Sequence, residues 1–169
     1  MALDILIVDD EQDIRDLVSG VLDDEGYGTR TAATADEALA ALDERLPSLI
    51  LLDVWLRGSS MDGIELLKAI KIRDPQIPVI VFSGHGNIDT AVAAIAQGAA
   101  DFIEKPFEAG KLLHLVSKAT ETERLRAENA NLRAKVGHSD ELTGSSAAIN
   151  TVRATLKKVA ATGSRMLIT

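Results

Sequence analysis

Acidic residues follow two short apolar segments of this 169-residue chain. Asp9 and Asp10 come directly after the segment 3–8, and Asp53 closes the segment 49–53. If both segments are strands of one parallel sheet, their carboxyl ends meet at one edge and bring the three carboxylates together. Crowded carboxylates repel one another unless a cation lies among them. Because the predicted ligands are all oxygens, the site favours a hard ion, and Mg²⁺ is the expected one.

A hydroxyl and an ammonium group are predicted at the same edge. Ser83 ends the fourth apolar segment, and Lys105 comes just after the fifth. Beside a cation, Lys supplies a point charge and Ser a hydrogen-bond donor for phosphoryl oxygens, and an Asp carboxylate can act as the nucleophile and form an acyl phosphate. The simpler interpretation is that Asp9 and Asp10 only cap the first helix, but it does not explain the residues at the other strand ends.

Five units of strand followed by helix are predicted before about residue 118. The strands are apolar runs without alternation, as in a parallel sheet that helices cover on both faces. We therefore predict an α/β fold, a doubly wound parallel five-stranded sheet with a long C-terminal helix. Apolar residues at helical spacing, among them Leu17 in the first helix and Val92 and Ile95 in the fourth, are expected on the packed faces. The predicted strands are 3–8, 27–32, 49–53, 78–82 and 101–104.

The composition excludes several classes of function. The chain has no cysteine, which excludes disulfides, thiolate metal sites and cysteine nucleophiles. Its net charge of −8 and 3% aromatic content argue against binding of nucleic acid. No apolar run approaches the ~18–20 residues of a membrane span, and the N-terminus has no signal-peptide pattern. We expect a cytoplasmic protein that binds neither membrane nor nucleic acid.

The charge is unevenly distributed along the chain. Residues 1–118 carry 21 acidic and 10 basic side chains, whereas residues 119–169 carry 5 acidic and 8 basic ones. The change near residue 118 predicts a domain boundary there.

The predicted site residues lie in motifs that resemble a two-component response-regulator receiver domain. The similarity covers about residues 3–118 and implies a CheY-like, flavodoxin-like fold. The motifs are Ile7-Val8-Asp9-Asp10-Glu11, the strand that ends at Asp53, Ser83-Gly84 and Lys105-Pro106-Phe107.

The resemblance implies roles for the acidic residues. Asp53 would accept a phosphoryl group from the phosphohistidine of a sensor histidine kinase. Mg²⁺ would bind to Asp10, Asp53 and the backbone carbonyl of Trp55, and Asp9 would help through water.

The resemblance also implies how the phosphoryl group is held and sensed. Ser83 and Lys105 would bind the phosphoryl oxygens, and Phe102 matches the switch aromatic. The bond from Lys105 to Pro106 is expected to be cis, a conformation that proline makes accessible.

The loop after Asp53 departs from the family pattern. Receivers usually have Pro four residues after the phosphorylated Asp and Gly eight residues after it, but this chain has Arg57 and Gly63 at four and ten. The loop 57–61 is therefore about two residues longer. This loop and the run 82–88 look like the NtrX branch of the NtrC-like nitrogen regulators.

Trp55 and His85 each lie two residues beyond a predicted site residue. One hypothesis is that they shade the acyl phosphate from water and so set its lifetime. The alternative is that they only pack or lie in solvent.

The long predicted helix carries a heptad pattern from Leu115 onward. Its apolar seam runs from Thr122 to Val136, which is about two heptads. In a parallel homodimer, Asn129 at an a position would pair with itself and fix a two-stranded register. The alternative is a solvated linker helix with internal ion pairs. The flanking residues predicted to pair across the seam are Glu121, Glu128, Arg126 and Arg133.

Three domains are predicted in all. They are the receiver 1–118, a helical linker 119–139, and a segment 140–169 that looks like the opening of the AAA+ domain of sigma-54 activators, cut before its phosphate loop. No G-x-x-x-x-G-K-[ST] sequence occurs in the chain, so it cannot bind ATP by that device. The segment 140–169 could instead fold back on the receiver as a helix.

The predicted function is a phosphorylation-controlled switch that promotes its own phosphorylation and dephosphorylation and is not otherwise an enzyme. It would control the dimerisation and activity of a transcriptional regulator. A haloacid-dehalogenase-type phosphatase is disfavoured because Trp55 stands where such enzymes carry their acid–base Asp. A phosphorylation-independent scaffold, or pseudo-receiver, is the remaining alternative.

Overall fold

The computed structural model describes residues 3–84, 88–136, 146–147, 149–152 and 154. The chain divides into two compact units, residues 1–126 and 127–169. His85, Asn87 and most of the segment 140–169 lie outside the described residues, so the predictions for them stay predictions.

The first unit contains a sheet of five parallel strands in the order β2-β1-β3-β4-β5. Adjacent strands β1 and β3 are not consecutive in the chain, and this change of direction is where doubly wound sheets bind ligands. The predicted α/β fold is confirmed, with strand ends that differ from the prediction by at most one residue. The strands are β1 Asp4–Val8, β2 Gly28–Ala32, β3 Leu49–Asp53, β4 Val79–Ser83 and β5 Asp101–Glu104.

Helices cover both faces of the sheet. Successive side chains of a strand point to opposite faces. Leu6 and Val8 therefore pack in one apolar cluster with α2, α3 and α4, and Ile5 and Ile7 pack in another with α1 and α5. The helices are α1 Gln12–Asp24, α2 Ala35–Glu44, α3 Gly63–Arg73, α4 Ile88–Ala96 and α5 Ala109–Val136.

The prediction for the packed faces of α1 and α4 is wrong in part, because some of the apolar residues predicted to be buried are exposed. Leu17 is 57% exposed, because α1 turns Arg15, Val18 and Leu22 toward the sheet instead.

The residues Val92 and Ile95 of α4 are exposed as well. Among the described residues of this helix, only Ala94 is buried. A small side chain lets the helix backbone approach the sheet closely, and its larger neighbours on the predicted face are then left in solvent.

Helix α5 packs on the sheet through its first turns. Leu112 and Val116 are fully buried, whereas Leu125 and Leu132 are 52% and 54% exposed. These two leucines lie seven residues apart, so they occupy one side of the helix. Within the described part of the chain, no helix combines the length and the apolar character that a membrane crossing requires.

Candidate functional site

The predicted site residues gather at the carboxyl edge of the sheet, because all five strands run in the same direction. Asp53 is the last residue of β3 and Ser83 the last of β4, while Lys105 follows β5 directly. A cavity of about 490 Å³ opens at this edge. The residues that line it are Asp10, Glu11, Asp53, Trp55, Leu56, Arg57, Asp62, Gly84, Thr90 and Lys105.

Three carboxylates converge at the base of the cavity, which Asp10 and Asp53 line and beneath which Asp9 is buried. One oxygen from each of Asp9, Asp10 and Asp53 lies within 4.8 Å of the others. Asp9 and Asp53 are buried, so their negative charges are poorly solvated and repel each other strongly. The arrangement offers a hard cation three oxygen ligands.

Lys105 partly neutralises this cluster. Its Nζ donates a hydrogen bond of 2.6 Å to Oδ2 of Asp9 and lies 3.5 Å from Oδ1 of Asp53. The same ammonium lies 4.8 Å from the centre of the Phe82 ring, a cation–π distance. The predicted cis bond between Lys105 and Pro106 is confirmed.

Asp53 keeps one oxygen available. Within the described residues, its buried Oδ1 accepts no hydrogen bond, since a separation of 3.5 Å from Lys105 exceeds a good hydrogen-bond length. Burial raises the pKa of Asp53 from 3.8 to about 6; Lys105 opposes this rise, and Asp9 and Asp10 add to it. The carboxylate is therefore destabilised by its surroundings and has an oxygen that a cation or an electrophile can approach.

Hydrogen bonds hold both the side chain and the backbone carbonyl of Asp9. Its Oδ1 accepts a hydrogen bond of 2.8 Å from the backbone N–H of Glu11, and Arg15 Nη1 donates one of 2.6 Å to its carbonyl oxygen. The N-cap residue of α1, Glu11, makes no capping hydrogen bond with its side chain. Asp9 thus shapes the turn before α1 and belongs to the acidic cluster, but the N-cap position of the helix is Glu11, so Asp9 is not its cap.

Arg15 is a site-supporting residue that sequence reasoning missed. It is nearly buried, and its guanidinium also donates to the side chain of Gln12. The signal was present in its spacing of three and seven residues from Val18 and Leu22, which are both buried on α1.

The long loop 57–61 closes back onto the site at Gly63. The backbone N–H of Gly63 donates a 2.8 Å hydrogen bond to the carbonyl of Val54. Helix α3 then begins with a reciprocal capping box between Asp62 and Glu65. The loop is longer than the family pattern, but it returns to the strand end within ten residues of Asp53.

The other predicted site residues differ in how far they are buried and in whether they line the cavity. Trp55 is 53% exposed and lines the cavity. Ser83 is fully buried, and its neighbour Gly84 forms the cavity wall at that strand. Phe102 is partly buried against the apolar cluster shared by α2, α3 and α4. His85 lies outside the described residues.

Comparison with known proteins identifies the family. Residues 5–117 match the response regulator receiver domain. The chain is 54% identical to the nitrogen assimilation regulatory protein NtrX of Azorhizobium caulinodans over 168 residues, which cover 99% of this chain and 37% of that protein. It therefore spans little more than a third of the length of this curated relative.

Solved structures agree with this assignment. The receiver domain of NtrX from Brucella abortus superposes with a TM-score of 0.68 at 59% identity, covering 70% of this chain and 98% of that one. The beryllofluoride-activated NtrC4 receiver domain dimer gives 0.67 at 41% identity, covering 71% and 98%. The chain belongs to the response regulator receiver family, and its relatives include regulators of the NtrX and NtrC types.

Proposed function

We propose that this receiver domain accepts a phosphoryl group on Asp53 from a sensor histidine kinase, in a reaction that requires Mg²⁺. One observation carries the proposal, namely the convergence of Asp9, Asp10 and Asp53 within 4.8 Å next to Lys105. A carboxylate with a cation site on one side and an ammonium on the other can accept a group that brings negative charge.

The transfer would be a single displacement at phosphorus. A carboxylate oxygen of Asp53 attacks phosphorus, the P–N bond to the kinase histidine breaks, and the imidazole nitrogen keeps its electron pair. Lys105 can bind a phosphoryl oxygen because it already lies 3.5 Å from Asp53. Ser83, the last residue of β4, would donate to a second oxygen.

The residues present fit the metal ion. The buried Oδ1 of Asp53, which accepts no hydrogen bond from the described residues, and the carboxylates of Asp9 and Asp10 form an all-oxygen set. Asp10, Asp53 and the backbone carbonyl of Trp55 would hold Mg²⁺, with Asp9 assisting. When bound, the ion supplies charge neutralisation between the carboxylates and the incoming phosphoryl oxygens.

The switch would follow from the new charge. Ser83 would be drawn toward the phosphoryl group, and Phe102, whose ring is only partly buried, would repack into the space near β4. The surface formed by α4 and β5 would then change, and the altered surface would bias the protein between two states.

The response would be a change in dimerisation. Leu125 and Leu132 are half-exposed at heptad spacing on α5, and burying them against a second copy is favourable. We place a parallel homodimer along α5, with Asn129 at its register position. The dimeric NtrC4 receiver supports pairing of receivers.

The larger role follows from the relatives. We assign the chain to an NtrX-type transcriptional regulator of nitrogen metabolism, with the receiver at 1–118, the linker at 119–139 and the start of an AAA+ domain at 140–169. We propose that the receiver acts in the cytoplasm.

Trp55 provides a direct test, because it is the single tryptophan of the chain and lines the cavity. Titration with Mg²⁺ should change its fluorescence in a saturable way, and addition of a small phosphodonor should change it further. Asp53→Asn serves as the control. Its fluorescence should not show the wild-type change on addition of either Mg²⁺ or the phosphodonor. A wild-type protein that responds only to Mg²⁺ would favour the scaffold alternative.

A further inference from the structure

The cavity at the sheet edge is larger than a phosphoryl group bound to Asp53 would need. It holds about 490 Å³, and its outer wall is built partly by the loop after β3, through Trp55, Leu56 and Arg57. A phosphoryl group fills only a small part of such a volume, so the outer part is available to the incoming donor before transfer.

The long loop is attached to the body of the domain. Ser59 Oγ accepts a 2.9 Å hydrogen bond from the N–H of Ala35 at the start of α2, and Ser60 Oγ donates a 3.0 Å hydrogen bond to Asp36. Met61 packs against the apolar cluster beneath. These contacts attach the loop at Ser59, Ser60 and Met61, and Arg57, two residues before Ser59, lies at the cavity wall.

The charges of the cavity wall leave one cation uncommitted. The wall contains four acidic residues and two basic ones, Arg57 and Lys105. Lys105 is engaged by Asp9 and Asp53. Within the described residues, Arg57 makes no hydrogen bond and no ion pair. An anionic donor that enters this acidic cavity therefore meets Arg57 as its available positive charge.

We propose that Arg57 binds the phosphoryl oxygens of the incoming phosphodonor at the cavity mouth and so raises the affinity for the donor before transfer. A guanidinium presents paired donors to phosphoryl oxygens. This inference rests on the proposed function, and it concerns capture of the donor, whereas Lys105 acts on the group once it reaches Asp53.

The test measures phosphorylation rate against donor concentration for two donors that share only the phosphoryl group, acetyl phosphate and phosphoramidate. With acetyl phosphate, an Asp53 oxygen attacks phosphorus, the P–O bond to the acetyl group breaks, and acetate leaves with the electron pair. With phosphoramidate in its N-protonated form, an Asp53 oxygen attacks phosphorus, the P–N bond breaks, and ammonia leaves with the electron pair.

Arg57→Ala should raise the half-saturating concentration of both donors on the order of three- to tenfold and leave the maximum rate nearly unchanged. The half-saturating concentration of Arg57→Lys should lie between those of the wild-type protein and Arg57→Ala. Ser59→Ala, which frees the loop from Ala35 but keeps the guanidinium, should shift the half-saturating concentration in the same direction by less. Arg124→Ala removes an exposed arginine of α5 that does not line the cavity and should leave both constants unchanged.

The outcomes separate this inference from the proposed function. If the wild-type protein takes up no phosphoryl group from either donor, the proposed function itself fails. If it is phosphorylated but Arg57→Ala behaves like Arg124→Ala, only the role of Arg57 is overturned. An effect confined to one donor, or a loss of Mg²⁺ affinity in Arg57→Ala, would also overturn that role, because either would show action elsewhere than on the phosphoryl oxygens.

Discussion

The backbone of Gly63 packs directly against the carbonyl group of Asp53. A Cβ atom built on Gly63 would overlap the Asp53 carbonyl oxygen and would crowd the Cα of Val54. Close approach, and not a left-handed backbone, is therefore what requires glycine here, since Gly63 is not among the glycines with positive φ. The start of α3 and the end of β3 are in this way fixed to each other beside the acidic cluster.

Gly63→Ala should destabilise the domain by about 1–3 kcal/mol, because backbone atoms must move to admit the methyl group. Urea denaturation measures the change. The matched control is Gly20→Ala in α1, where an added Cβ meets nothing within 4 Å, and there we expect a neutral or slightly stabilising effect. Equal stability of the two variants would contradict the close packing at Gly63.

Asp53 should lower the stability of the metal-free protein at neutral pH. Its folded-state pKa of about 6 lies above the ordinary 3.8, so the folded protein binds this proton more tightly than the unfolded chain. The resulting stabilisation is fully present below about pH 4 and is lost as the pH rises through about 6. Above that pH, the buried charge costs about 2–3 kcal/mol.

Asp53→Asn should consequently be more stable than the wild-type protein by about 1–3 kcal/mol at about pH 7.5 in the presence of a chelator, and by less at about pH 4.5. Addition of Mg²⁺ should stabilise the wild-type protein and narrow the gap. Denaturation at the two pH values measures this, and a wild-type protein more stable than Asp53→Asn at neutral pH without metal would refute it.

Trp55 should protect the acyl phosphate from water. Its ring is half-exposed at the wall of the cavity that Asp53 also lines. Trp55→Ala should therefore shorten the lifetime of the phosphorylated protein about three- to tenfold, which corresponds to about 1 kcal/mol in the hydrolysis barrier. Loss of label after removal of the donor gives the rate. His85→Ala tests the companion hypothesis, and unchanged rates in both variants would dismiss it.

The paired leucines of α5 should support self-association. Replacing Leu125 and Leu132 together by Ala should shift the mass in solution toward the monomer, because their exposed side chains supply the apolar seam. Asn129→Leu should keep association but loosen the two-stranded register. Light scattering across a concentration series separates these results. A wild-type protein that stays monomeric with and without phosphodonor would identify α5 as a solvated linker.

The strand ends were predictable because apolar runs and the polar residues that follow them are adjacent in sequence. Asp9, Asp53 and Lys105 could thus be placed at one edge without any structure. The spacing of Arg15 indicates the buried face of α1, but its contact with the site could not be predicted, because it depends on a guanidinium reaching a backbone carbonyl six residues away. Leu17 was placed wrongly because an apolar residue one position from the buried face satisfies the same helical pattern.

The loop after β3 marks the other limit of prediction. Its extra length was visible in the sequence, but its course was not, since that depends on the hydrogen bond that Ser59 accepts from Ala35 and the one that Ser60 donates to Asp36. Contacts of that range arise only once the sheet is assembled.

The central claim is that Asp53 receives a phosphoryl group at the acidic cluster. Intact-mass measurement after incubation with acetyl phosphate and Mg²⁺, followed by peptide mapping, tests it most directly. We expect the wild-type protein to gain the mass of one phosphoryl group, located on the peptide that contains Asp53, and we expect Asp53→Asn and chelator-treated protein to gain none. An unmodified wild-type protein, or modification that persists in Asp53→Asn, would contradict the account.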